Sequence, residues 1–440
     1  MCWDYRYVVL IFATTLINYI SGLQIAKTKS KVKKKVYLVT GLTTSLGILF
    51  FFKYFNFFSE SVNAVLDNIN VFYEVPVYNL LLPVGISFYT FQTLSYTIDV
   101  YKGEKSPEPH FGIFALYVSF FPQLVAGPIE RSTNLLPQFF KKVEFSYDRI
   151  RDGIYLMAWG FFKKVVIADR LSEYVNTVYN DPSAYGSGTI VIGTIFFAFQ
   201  IYCDFSGYSD IAIGSAKVLG FDLMKNFNRP YLAKNIREFW QRWHISLSSW
   251  FRDYLYIPLG GNRVAKWRWW YNLFITFLIS GLWHGANWTF VVWGGLHGLY
   301  QVFEIWTSKS RIALKEKVAP VISFQLYKAL EIAITVFLAW FAWIFFRANT
   351  ISDAFIVVKR IFVFNPSEKI NLFYFKSDMV LSIILIGLLF FIEVLEERIG
   401  LWNKLQSLHK FYKWAMLVLI ILSIFILGKW NDVDFLYFQF

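Results

Sequence analysis

The chain has 440 residues, of which 56% are hydrophobic, 21% aromatic and only 17% charged, with a mean hydropathy of +0.43. So much apolar side chain cannot be wrapped into one soluble core, which excludes an ordinary globular enzyme and predicts a polytopic membrane protein. The 43 basic against 30 acidic residues fit cytoplasmic loops facing anionic lipid, with no base-reading pattern to suggest nucleic acid, and Cys2 and Cys203 are too few for a disulfide scaffold.

Tyr7 to Ala26 is nearly continuous apolar sequence, with no basic region before it and no small-residue cleavage site behind it. This predicts a retained helix rather than a signal peptide. The lysines from Lys27 to Lys35 should stay cytoplasmic, which places the N-terminus outside. Val36 to Phe58 then returns outward. Ser59 to Asn79 carries Glu60, Asp67 and Glu74 but no lysine or arginine, and is expected to be an external loop. Leu80 to Tyr101 spans next, and Pro83 and Gly85 predict a break near its start, tolerated only where protein or a cavity covers the freed backbone.

Phe111 to Val125, at about fifteen residues, is short for a span, and Gly127, Pro128, Glu130 and Arg131 follow it. A re-entrant segment is expected. Ile150 to Ala168 is interrupted by Lys163 and Lys164, so a tilted or partly interfacial helix is expected there. Asp181 to Gly188 is an external loop by its turn residues. Thr189 to Gly220 is expected to hold two hydrophobic stretches joined at Asp204, Ser206, Gly207, Ser209 and Asp210, polar groups of the kind that line cavities or bond across helices.

Between Lys225 and Arg268 the hydrophobic spans stop and basic residues return, which predicts the largest cytoplasmic element. Within it Trp240, Trp243, Leu247 and Trp250 recur at three and four residues, the pattern of one amphipathic helix lying on or partly in the membrane. The arginines, Arg237 and Arg242 among them, are either a solvated surface or donor-binding groups. His244 falls next to Trp243 and one helical step from Trp240, which turns its ring inward.

Tyr271 to Gly298 follows as an apolar run with His284 inside it. If the helix enters near Arg268, sixteen residues at about 1.5 Å each put His284 roughly 24 Å along it, well within a hydrocarbon core of about 30 Å. An ionisable group at such depth is a functional-site hypothesis, set against a satisfied packing histidine. Gly281 and Gly285, four apart, clear one face of that helix for a neighbouring helix or a substrate chain. His297 is expected to pack or to bond at a helix end, and His110 and His409 to lie on the surface. Cys203 in apolar surroundings is inert rather than an acyl carrier. Phe324 to Phe346, Met379 to Glu393 and Trp414 to Leu427 complete the spans. About ten membrane-embedded helices are expected, some re-entrant or broken, in one all-α transmembrane domain over residues 1–440. No CxxC or HExxH spacing predicts a metal. Asp432 and Asp434 form a DxD whose expected external position argues against a nucleotide site.

Four stretches carry a resemblance: FPQLVAGPIER at Phe121 to Arg131, EFWQRWHISLSSWFRDYLYIPLGGNR at Glu238 to Arg263, GLWHGANWTFVVWGGLHG at Gly281 to Gly298, and WIFFRA at Trp343 to Ala348. With the ending FLYFQF at Phe435 to Phe440, the sequence resembles the bacterial branch of the membrane-bound O-acyltransferase superfamily, most of all its alginate O-acetylation members. Relatives in that branch usually carry a further hydrophobic segment ahead of the first one here. The resemblance implies a tunnelled membrane core, with an acyl donor entering from the cytoplasm and an acceptor reached from the other side. It implies His284 as the catalytic residue and His244 as its companion.

The chemistry agrees, because a neutral imidazole can take the proton of a hydroxyl as it attacks a thioester, and burial disfavours imidazolium. Asp204 and Asn287 are candidates to orient histidines or donor atoms, and Trp283, Arg237, Trp240 and Arg242 to support the donor site. No permanently bound cofactor is expected; acetyl-CoA or another acyl thioester is the co-substrate. The implied partners are membrane lipid, a cytoplasmic donor or carrier protein, an extracytoplasmic SGNH-type acetyltransferase and a polysaccharide acceptor, in a bacterial plasma membrane. D-alanyl transfer to teichoic acids is the enzymatic alternative, and a transporter or export channel is the alternative from another class.

Overall fold

The structure is a computed structural model and describes residues 7–78, 80, 82, 83, 85–124, 127–318, 322–363, 365, 367–371, 376–430, 435 and 436. Cys2, Val125, Asp432, Asp434 and residues 437–440 of the FLYFQF ending lie outside the described residues. The chain divides into two compact units, Met1–Gly153 with Ser215–Met224, and Ile154–Gly214 with Lys225–Phe440. No strand occurs among the described residues. Six described helices are long and apolar enough to cross a membrane: Val8–Lys27, Lys31–Asn68, Ser187–Leu219, Phe324–Arg347, Lys376–Ile399 and Lys410–Leu427. The other hydrophobic stretches form helices that are shorter, like Ile86–Lys102, or less uniformly apolar, like Lys266–His284 and Trp288–Trp306, so the protein is polytopic, with six full-length apolar spans among the described residues.

In the first unit three helices meet at one amide. Asn18 of Val8–Lys27 donates to Ser45 Oγ of Lys31–Leu49 and accepts from Thr97 Oγ1 of Ile86–Lys102, each at 2.8 Å. Small residues make that approach feasible, since a Cβ on Gly22 would meet the Tyr96 ring at 2.8 Å. The expected external loop at Ser59 to Asn79 is half helix: Lys31–Asn68 continues through a π-helical turn at Phe50–Tyr54, and irregular chain begins only after Asn68. Local apolar periodicity outlasted the acidic residues that had suggested a loop. The break before Ile86 is present, with Gly85 at φ +77°. Phe111–Ser119 is too short to cross, as its length predicted. Beyond it Glu130 is buried and accepts from Asn134 Nδ2 at 2.7 Å and from the Met224 amide.

Ile150 to Ala168, of which the second unit takes the part from Ile154, is part of a helical run in which Phe162–Ala168 is π-helical. Two adjacent lysines in that turn have different partners. Lys163 Nζ lies 2.8 Å from Asp210 and 2.9 Å from Ser206 Oγ, while Lys164 Nζ lies 2.7 Å from both Asp169 and Asp204. All four acceptors stand on this run or on Ser187–Leu219. The two hydrophobic stretches expected from Thr189 to Gly220 lie on one uninterrupted helix, Ser187–Leu219, of 33 residues, and the polar residues at their junction bond across helices as expected. Asp204, Ser206 and Asp210 are paired by the lysines and Ser209 Oγ accepts from Asn226 Nδ2 at 3.2 Å, so the helix continues through them.

The run from Tyr271 to Gly298 is a helical hairpin, Lys266–His284 and Trp288–Trp306, rather than one continuous helix. Gly281 and Gly294 are the crossing point. A Cβ on Gly281 would lie 2.3 Å from the Phe290 carbonyl, and one on Gly294 2.4 Å from that of Phe277. Gly281 and Gly285 thus make room for the partner helix of the hairpin, with the Phe290 ring seated on Gly285. Before the hairpin, the LGG turn needs glycine at Gly260 and Gly261, with φ +107° and +55°. Asn272 Nδ2 fixes the turn by donating to the carbonyls of Leu259 and Gly261 at 3.2 and 3.0 Å.

Candidate active site

The amphipathic pattern from Trp240 to Trp250 produces two short helices, Ile236–Arg242 and Ile245–Phe251. They are separated at His244, whose backbone is left-handed at φ 42° and ψ 56°. That conformation is strained for a residue with a Cβ, and such strain concentrates at functional sites. The expected membrane-surface helix is therefore corrected: Trp240, Trp243, Leu247 and Trp250 are all buried within the protein. The chain bends at His244 so that both halves keep their aromatic faces inside.

His244 is fully buried. Its Nδ1 lies 3.2 Å from Asn226 Oδ1, and that oxygen also accepts from the Ser246 amide at 3.2 Å and from Ser246 Oγ at 2.9 Å. Because a backbone N–H can only donate, the Ser246 amide fixes which end of the Asn226 amide faces the ring. An acceptor opposite Nδ1 requires the proton on Nδ1, which leaves Nε2 with the lone pair. Burial lowers the His244 pKa to about 3, so the ring is neutral at physiological pH. Phe205 packs edge-on against it, with centroids 4.6 Å apart.

His284 is the last residue of its helix and is buried. It is held by Trp283 and Trp293, each with ring centroids 4.9 Å away, and by Phe346 at 5.4 Å. The two imidazole centroids are 6.4 Å apart, and Trp283 reaches His244 at 6.2 Å. Two histidines 40 positions apart in sequence thus share one aromatic chamber.

Two cavities flank this chamber along the His284 helix. The larger, of about 760 Å³, is lined by Arg237, Trp240, Ile245, Arg252 and by that helix from Trp269 to Ser280. The smaller, of about 510 Å³, begins past His284 at Ala286 and Asn287 and is walled by Phe290, Phe346 and Arg347. His284 lies between the last helix residue of one and the first residue of the other.

The remaining candidates divide. Trp283 and Trp240 belong to the chamber and the larger cavity; Trp240 Nε1 donates to His297 Nδ1 at 3.3 Å, and His297 has the packing role expected of it, in the middle of its helix rather than at a helix end. Arg237 is exposed at the larger cavity. Arg242 is engaged structurally, bonding Glu238 at 2.8 Å and Glu397 at 2.9 Å. Asp204 bonds Lys164 and accepts from the Leu436 amide at 3.0 Å. Asn287 caps the Trp288 helix through the Thr289 amide at 2.9 Å and donates to the Asn349 carbonyl at 3.1 Å. Sequence reasoning missed Asn226, Phe205, Trp293 and Arg347. Asn226 carried no local signal; Arg347, a lone cation ending an apolar run, did.

The profile of MBOAT, the membrane-bound O-acyltransferase family, matches residues 104–351. The chain belongs to this family. The stretch matched by the family holds both histidines and both cavities, while the Lys376–Ile399 and Lys410–Leu427 helices lie beyond it. Among family members, the chain is 43% identical over 289 residues to the probable alginate O-acetylase AlgI of Azotobacter vinelandii, covering 65% of this chain and 57% of that one. To the Pseudomonas aeruginosa protein of the same name it is 39% identical over 366 residues, 82% of this chain and 67% of that one. To the peptidoglycan O-acetyltransferase of Helicobacter pylori it is 33% identical over 387 residues, 81% and 70%. The chain thus spans only a little over half of the Azotobacter protein, 57% of its length.

Proposed function

We propose that the chain is a membrane O-acyltransferase of a bacterial plasma membrane, moving acetyl groups from a cytoplasmic thioester to hydroxyls of an exported or cell-wall polysaccharide. The observation that carries this reading is the position of His284 on its chain segment between the residues that line two cavities, with the His244 ring 6.4 Å from its own. The larger cavity shares the His284 helix with the basic cluster at Lys266 and Arg268, which the positive-inside tendency assigns to the cytoplasm. Its apolar wall and the exposed Arg237 and Arg252 suit a thioester arm with an anionic carrier, either coenzyme A or a carrier protein. The smaller cavity, past the end of the helix, receives the hydroxyl.

His284 acts as general base. It takes the hydroxyl proton as the oxygen attacks the thioester carbonyl, and the proton passes to the departing thiolate when the tetrahedral adduct collapses. His244, neutral with its lone pair on Nε2, aligns the donor side of the reaction. No permanently bound cofactor enters the scheme. An extracytoplasmic SGNH-type protein completes delivery to the polysaccharide. Acetyl is favoured over D-alanyl by the relatives named as O-acetylating, at 33–43% identity.

Purified protein supplied with labelled acetyl-CoA and a hydroxyl acceptor tests the reading. Transfer that requires His284 is the expected result. Donor turnover untouched by His284→Ala, or turnover only with a D-alanyl carrier thioester, would overturn it.

A further inference from the structure

Four apolar side chains in the first unit stand in one exposed row. Phe58, Val62 and Val65 belong to the helix Phe55–Asn68 and Ile69 caps it. Their spacing of four, three and four residues puts them on one face, and Val65 and Ile69 are 59% and 61% exposed. Glu60 and Asp67, also exposed, fall on the opposite side by the same period. No lysine or arginine occurs between Lys53 and Lys102, so the charges on this helix are acidic.

The chain that follows returns along the helix and is tied to it by two asparagines. Asn56 accepts from the Tyr78 amide at 3.0 Å and donates to the Tyr78 carbonyl at 2.6 Å, and Asn63 does the same with Val75 at 2.8 and 3.0 Å. Each asparagine stands in for a strand partner, satisfying both backbone groups of one residue. The return segment leaves the row bare and presents further aromatic surface. Phe72 is fully exposed, and Tyr78 packs on Phe55 with ring centroids 5.4 Å apart.

Position decides what the row faces. The preceding helix Lys31–Leu49 has 19 residues, roughly 28 Å at about 1.5 Å each, which uses up a hydrocarbon core of about 30 Å. Phe55–Asn68 therefore begins where the core ends, at the surface away from the lysines of Lys31 to Lys35. The outward side of the span, with Val36, Val39, Leu46 and Phe50 exposed, runs into the row directly, because the Phe50 and Phe58 rings meet at 5.5 Å across the π turn. An apolar stripe continuous with a lipid-facing surface, on a helix with an acidic back, matches a helix lying in the membrane interface.

We propose that Phe55–Asn68 and its return segment are an interfacial anchor, with Phe58, Val62, Val65 and Ile69 set into the acyl boundary of the membrane surface opposite the lysine cluster, and that the lipid they take is zwitterionic. With no cation to draw an anionic headgroup, and with Glu60, Asp67 and Glu74 to repel one, binding comes from apolar burial alone. Helices bend at π turns, so Phe50–Tyr54 is the joint that takes the chain from spanning to lying. The anchor goes beyond the acyltransferase reading and does not depend on it.

Spin labels on the full chain in phosphatidylcholine nanodiscs test it, placed singly through Val65→Cys, Val62→Cys or Glu60→Cys on a background lacking Cys2 and Cys203. Collisions with oxygen, which concentrates in lipid, should exceed those with a water-soluble nickel chelate at positions 65 and 62, and the order should reverse at position 60. Val65→Asp should lift the row out and raise nickel access at position 62 severalfold. Replacing half the lipid by phosphatidylglycerol should leave the immersion equal or shallower. Nickel reaching position 65 as freely as position 60 would put the row in water and overturn the anchor. Exclusion of both reagents from position 65 would overturn it in favour of a second copy of the chain covering the row. Unchanged nickel access in Val65→Asp would also overturn it, and deeper immersion with phosphatidylglycerol would overturn the zwitterionic choice. The position 62 label decides the matter where Val65→Cys fails to fold.

Discussion

The imidazoles of His244 and His284 stand 6.4 Å apart, centroid to centroid and inclined by 64°, with the Trp283 indole against both. One comes from a strained joint between two short helices, the other from the last turn of a long one. Under the proposed acyl transfer, that separation would let the donor and the acceptor hydroxyl be addressed from opposite sides of one chamber.

If His284 is the base, His284→Ala should cut acyl transfer by about 10²–10⁴-fold, the usual contribution of a positioned general base. Abundance and the gel-filtration profile in detergent should stay close to wild type. Wild-type transfer by the variant would remove His284 from the chemistry.

His244→Gly removes the ring while easing the backbone. Glycine adopts φ 42° without the clash that a Cβ brings, which offsets only part of the packing and hydrogen bond lost with a fully buried imidazole, so melting temperature should fall while the protein stays folded. Transfer, and donor turnover in particular, should still be lost. A variant with full turnover would reduce His244 to a packing residue.

Asn226 sets the His244 tautomer, so Asn226→Ala should lower kcat while leaving acceptor KM little changed. It also strands Ser246, at about 1–3 kcal/mol of stability. The pH profile gives a second readout. With a folded pKa of about 3, below the ordinary histidine value of about 6.5, His244 stays neutral through pH 5–9 and contributes no limb there. The stability it supports is present above about pH 6.5 and lost as the pH falls from there towards 3, because the unfolded chain binds the proton first. A kcat limb near neutral pH that disappears in His244→Gly would contradict this.

The hairpin crossing should tolerate nothing larger than hydrogen at Gly281. Gly281→Ala drives a Cβ into the Phe290 carbonyl, a backbone atom that cannot rotate away, and overpacking of this kind costs about 1–3 kcal/mol. Gly387→Ala, where nothing lies within 4 Å, should be neutral or stabilising. Equal melting temperatures for the two variants would show that the crossing is looser than drawn.

Sidedness is open to thiol labelling on a background lacking Cys2 and Cys203. Cysteines at the exposed Lys33 and Arg263 should resist an impermeant reagent on intact cells, and one at exposed Asn70 should react. Labelling at Arg263 from outside would invert the donor route.

Composition and period were enough to determine class and the long spans, because hydropathy needs no partner to be read: Phe324–Arg347 and Lys410–Leu427 fall within a few residues of their sequence bounds. His244 and His284 were also visible as polar exceptions in aromatic runs. What only the tertiary structure decided was every relation that depends on a second segment. Trp240 to Trp250 has the same period whether its apolar face meets lipid or protein, and only packing shows it buried around a bend at His244. The polar belt of Ser187–Leu219 was legible as a set of groups that line a cavity or bond across helices, but only packing shows that Lys163 and Lys164 are its partners. Asn226 and Arg347 matter through what stands opposite them, 18 and 171 positions away in sequence. Local physics writes helices into a sequence; it does not write which side chain a neighbour will leave without a partner.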